Sequence, residues 1–99
     1  MQDESNIDFE NIRRMNEIAQ VYEITRQSKK AENYHRIIVK LCDRHPKNEK
    51  ALQYKIRSLN QLNKPYKSLE TTNELLNLNP NSLIALFNII KFLKEASYV

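Results

Sequence analysis

The chain has 99 residues, 40% of them hydrophobic, with no glycine, no tryptophan and one cysteine. A chain this short is one domain at most and buries a modest fraction of its surface, which argues against a deep substrate cavity; the lack of glycine excludes phosphate-cradling loops. The net charge of +4 is uneven: Asp3, Glu4, Asp8 and Glu10 precede the first base, so residues 11–99 carry all 16 bases and 8 of the 12 acids. That balance favours acidic partners.

Ser5 followed by Asp8 reads as a capping box, which predicts a flexible acidic leader over 1–5 and a helix from about Asn6 to Gln27. Ile12, Met15, Ile18, Ala19 and Tyr22 recur at three- and four-residue steps as one buried stripe, with Val21 at its flank. Ser28-Lys29-Lys30 is a polar break, after which Tyr34, Ile37, Ile38, Leu41 and Cys42 mark a second helix to about Arg44. Pro46 ends it, and Asn48 caps a third helix with Leu52, Ile56, Leu59 and Leu62 on one face. That helix stops at Asn63, suited to a left-handed cap, and Pro65 opens a fourth, lined by Leu69, Leu75, Leu76 and Leu78. Ser82 caps a fifth, the most apolar, with Leu83, Leu86, Phe87, Ile89, Ile90 and Leu93. The pattern is all-α, five helices in a single domain over 6–99.

Pro46 and Pro80 lie 34 residues apart, and the positions around them repeat. Units starting at Met15, Glu49 and Leu83 place Ile18, Leu52 and Leu86 in one row, Thr25, Leu59 and Leu93 in another, and Leu41 with Leu75 in a third. The stretches Leu62-Asn63-Lys64-Pro65-Tyr66-Lys67-Ser68-Leu69 and Asn77-Leu78-Asn79-Pro80-Asn81-Ser82 resemble the turn, second-helix start and closing segment of a tetratricopeptide repeat. The resemblance implies a right-handed solenoid of antiparallel helix pairs, with units near 15–48 and 49–82 and a partial one over 83–99; a related helical repeat of the half-a-tetratricopeptide type stays open. The family places small residues where the paired helices approach. Here those positions hold Tyr22, Ile56 and Ile90, then Tyr34 and Ser68, which implies wider helix spacing in the first unit.

His35, Cys42 and His45 are the soft ligands a metal would use, and helical spacing puts them on one face. Cys42, however, falls in an apolar row, His45 precedes the terminating proline, and no fourth ligand stands at a recognisable spacing, so no metal or cofactor is expected. Glu17, Glu23, Glu32, Asp43, Glu49, Glu70, Glu74 and Glu95 fall on predicted solvent faces. With no Ser-His-Asp, Cys-His or paired-acid arrangement on a scaffold to hold it, no catalytic residue is assigned and the chain is not read as an enzyme.

Tetratricopeptide solenoids bind peptides on the concave surface made by the first helix of each pair. The resemblance carries that surface onto Lys50, Gln53, Tyr54, Arg57, Asn60 and Gln61 in the second unit, and onto Ile84, Phe87, Asn88, Lys91, Lys94 and Glu95 in the third. In the first unit it falls on Asn16, Ala19, Gln20, Glu23, Arg26 and Gln27. The carboxylate clamp of chaperone-binding members would need bases and asparagines where Ala19, Glu23, Tyr54, Ile84 and Asn88 stand, and none matches. The expected function is therefore a protein-interaction module, an adaptor or scaffold whose groove holds an acidic peptide through Lys50, Gln53, Tyr54, Arg57, Phe87, Asn88, Lys91 and Lys94. Tyr54 and Phe87 would pack its apolar anchor. An RNA-associated helical repeat is the alternative. A third reading is self-association, or continuation into a longer array, through Leu83, Leu86, Ile90 and Leu93. The lone Cys42 and the lack of an apolar leader or membrane-length stretch predict an intracellular, cytoplasmic protein, with the nucleus left open and no membrane partner.

Overall fold

The computed structural model describes residues 4–97 and contains five helices there: α1 (Glu4–Ile24), α2 (Ser28–Cys42), α3 (Glu49–Gln61), α4 (Pro65–Leu78) and α5 (Leu83–Ala96). Each helix packs on the next, and α1 also meets α3. The expected caps are present: Asn48 accepts from the Ala51 N–H at 3.0 Å, Ser82 from the Ala85 N–H at 3.3 Å, and Pro65 occupies the first turn of α4. Asn63 takes the left-handed conformation at φ 57°.

Several expectations for the first unit are corrected. Of the flexible leader, residues 1–3 lie outside the described residues, while Glu4 and Ser5 form the first turn of α1, so Ser5 is not a cap. Asp8 does not reach back along its own helix; it is buried and accepts from His45 Nε2 at 2.9 Å, far along the chain. Ser28-Lys29-Lys30 is the first turn of α2 rather than a break. The turn is Thr25–Gln27, with Arg26 left-handed at φ 60°.

This turn also resets the register. Gln27 N–H donates to Tyr22 O at 2.8 Å as Lys64 N–H donates to Leu59 O at 2.9 Å, so position 27 matches 64, an offset of 37. The caps of α3 and α5, at 48 and 82, keep the offset of 34. One extra residue in α2 and two in the connection before α3 account for the difference. At the offset of 37, Ala19 and Ala31, both buried, stand where Ile56 and Ser68 stand on α3 and α4. The wider spacing expected there does not follow. Tyr22 and Tyr34 instead stack at 5.7 Å, half-buried.

Two apolar clusters form the core. Ile12, Ile38, Cys42 and Ala51 join α1, α2 and α3, and Leu52, Ile56, Leu75 and Ala85 join α3, α4 and α5. Ile18 is exposed and lies outside the buried stripe expected of it, and Val21, at the flank, is exposed too. On α4 the buried face holds Ser68, Thr71 and Thr72 with Leu75, whereas Leu78 is exposed. Thr71 and Thr72 tolerate burial because their hydroxyls donate to the carbonyls of Lys67 and Ser68, at 3.0 and 2.7 Å. On α5 only Ala85 and Asn88 are buried, so its long apolar row faces outward.

Candidate interaction surface

Between α3 and α5 lies an open depression of about 310 Å³ lined by Gln53, Ile56, Arg57, Asn60, Ile84, Phe87, Asn88 and Lys91. A second, of about 330 Å³, continues from it past Phe87 and Lys91 to Ile90, Lys94 and Glu95. The offset of 34 between α3 and α5 puts Arg57 and Lys91 at equivalent helix positions, which is why both reach one hollow. Phe87 is 65% exposed and Ile84 44%, an apolar floor that no part of the described chain covers. Among the described residues neither Lys91 nor Lys94 pairs with a carboxylate.

The structure thus brings together Gln53, Arg57, Phe87, Asn88 and Lys91, with Lys94 adjoining. Lys50 is exposed at the start of α3 and lines neither hollow. Tyr54, expected to pack the anchor, is half-buried and packs on the cluster of Ile12, Ile38, Cys42 and Ala51. Asn88 is held internally, accepting from Asn60 Nδ2 at 2.8 Å and donating to Ser68 Oγ at 3.0 Å and Thr72 Oγ1 at 2.7 Å. It shapes the floor from below. In the amide orientation that satisfies its neighbours, Gln20 Oε1 accepts from Asn16 Nδ2 and from both terminal nitrogens of Arg57. Arg57 is braced on α1 by this contact, and Ala19, assigned to the groove from the sequence, is fully buried.

Glu23 leaves the solvent face expected of it. It joins a line in which His35 Nε2 meets the Glu23 carboxylate and His35 Nδ1 meets Ser58 Oγ at 2.9 Å. Serine, histidine and an acid are therefore aligned, contrary to the sequence expectation, but Ser58 is fully buried and does not line the depression beside His35. The line bridges α1, α2 and α3. His45 is bonded to Asp8 and stacks on Phe9 at 5.0 Å, and burial pushes the Cys42 thiol up to about 12, with Asp43 adding to the rise. Among the described residues no group of three or more histidine, cysteine or acidic side chains converges as a metal would require.

A cleft of about 450 Å³ that the sequence reading did not anticipate opens between α2 and α4 over α3. Arg36, Lys40, Lys55, Lys64 and Lys67 meet there with Asp43, Glu70 and Glu74. Lys55 is paired with Asp43 at 2.7 Å. The helical spacing of Arg36 and Lys40 was visible, but not that α4 would bring its own bases to the same cleft.

No described helix is long and apolar enough to cross a membrane. Compared with known proteins, the chain matches no family model, no curated protein and no solved structure.

Proposed function

We propose that the chain is a helical-repeat interaction module of the tetratricopeptide type, a right-handed solenoid that serves as an adaptor or scaffold. In this reading the α3–α5 depression binds an acidic peptide carrying an apolar anchor. One observation carries the reading: Phe87 and Ile84 are exposed side by side while Arg57, Lys91 and Lys94 stand around them, with Glu95 as the one acid. An apolar anchor laid on Phe87 removes that surface from water, and carboxylates on either side meet the three bases. Ala19, Ala31 and Ser68 at the helix approaches support the repeat type, since they put small residues where it needs them.

The α2–α4 cleft gives the RNA reading less support. Its bases are interleaved with Asp43, Glu70 and Glu74, which repel phosphates. Panning random short peptides against the intact domain tests the proposal. Enrichment of acidic sequences with one aromatic or aliphatic anchor, competed away by salt, is the expected result. Enrichment of basic or charge-free sequences, or none, contradicts it. Salt-sensitive binding of single-stranded RNA with no peptide enrichment would favour the alternative.

A further inference from the structure

We propose that the outer face of α5 is a seat for an amphipathic helix of a partner protein, docked antiparallel to α5 as α4 docks on α3. The matched caps Asn48 and Ser82 pair each α3 residue with the α5 residue 34 positions later, so Leu52, Ile56 and Leu59 correspond to Leu86, Ile90 and Leu93. On α3 these side chains are 1%, 2% and 3% exposed, Leu52 and Ile56 clustering with Leu75 of α4. On α5 they are 41%, 57% and 60% exposed, and Leu83, 66% exposed, extends the row by one turn. The same apolar face is made twice and covered once.

The occupant is a helix because what covers the equivalent face within this chain is a helix. The row Leu83, Leu86, Ile90 and Leu93 follows the three-four-three spacing that meets another helix along a seam. Its chemistry is read from α4, where Leu75 clusters with Leu52 and Ile56 and the small Ser68 and Thr72, bonded to Asn88 on the inner side of α5, complete the buried side. Small side chains one turn apart let the axes approach, and a leucine one turn further fills the gap. A second copy of α5 has no such small pair in its exposed row, and pairing two of these faces sets Lys94 of each copy beside the same seam. Leu86 and Leu93 of the seat lie on a different side of α5 from Ile84 and Lys91 and line neither hollow, whereas Ile90 also borders the second hollow.

The probe is a synthetic peptide of the α4 sequence, Lys64–Asn79, titrated into the isotope-labelled full chain. Saturable NMR shift changes confined to Leu86, Ile90 and Leu93 are expected, with a gain of helical circular dichroism in the peptide. Leu93→Asp, placed at an exposed position that lines neither hollow and so compatible with folding, should weaken binding at least about tenfold. Either of two NMR outcomes overturns the proposal: no saturable change at α5, or changes at Leu52 and Ile56 that mark displacement of the chain's own α4. Sedimentation showing a dimer that Leu93→Asp dissolves, without peptide binding, would overturn it in favour of a second copy.

Discussion

The contact of α1 with α3 and the contact of α3 with α5 are built on the same plan and finished differently. In the first, Glu23, His35 and Ser58 link three successive helices; in the second, Asn60, Thr72 and Asn88 do so. The offset of 37 pairs Glu23 with Asn60 and His35 with Thr72, while the third members, Ser58 and Asn88, stand at different positions of their helices, so an ionisable line in one place and an amide-hydroxyl network in the other share two slots of three. Beyond these networks the two diverge. The concave side chains of the first, Asn16, Gln20 and Arg57, are joined to one another, whereas Phe87, Lys91 and Lys94 of the second face solvent. Both contacts carry a bridging network, and the depression floored by Phe87 and Ile84 lies at the second.

The largest expected effect comes from removing the ring at the centre of the first contact. His35→Ala leaves the buried Ser58 hydroxyl and the Glu23 carboxylate without their partner and opens a cavity, a loss of about 3–4 kcal/mol in urea unfolding. Asn88→Ala should cost about 2–3 kcal/mol by the same measurement, since three neutral hydrogen bonds are lost but a smaller volume is emptied. A cost for Asn88→Ala below about 0.5 kcal/mol would show that the second contact does not rely on its network.

A third difference is confined to the first unit, which alone has a buried thiol. Because the folded Cys42 pKa is about 12 against an ordinary 9.0, the unfolded chain releases its proton first as pH rises. Stability should therefore be unaffected below about pH 9 and fall between there and about pH 12, a loss absent in Cys42→Ala. Native Cys42 should also resist alkylation at pH 8 until the chain is unfolded. The smallest effect separates the two hairpin turns. Asn63 suits its left-handed backbone and Arg26 does not, so Arg26→Asn should stabilise by about 0.5–1 kcal/mol in thermal or urea unfolding.

What could be read from the sequence follows the same division. Asn48, Pro65, Ser82 and the spacing of Pro46 and Pro80 act locally, and they located α3, α4 and the start of α5. The turn before α2 stands three residues out of the proline register because Pro46 marks the end of an enlarged connection, while that turn, at Arg26, carries no glycine or asparagine to announce it. His35, Ser58, Ser68, Thr72 and Asn88 look like surface residues until their partners on other helices are known. Leu86, Ile90 and Leu93 look like core for the converse reason: their spacing is that of a buried face, and what covers such a face on α3 is another helix. Of the residues assigned to the groove by repeat position, Arg57, Phe87 and Lys91 line the depression, whereas Tyr54 packs on the cluster that Phe9 and Met15 also touch.

The open contact is the functional claim, and charge reversal at its rim tests it most directly. Affinity for a peptide obtained by panning should be compared between the wild-type chain and Arg57→Glu combined with Lys91→Glu. The account predicts a loss of at least about tenfold, mostly in association rate and strongest at low salt, with helical circular dichroism unchanged. Unchanged affinity in the folded double variant would contradict it and move the binding surface away from α3 and α5.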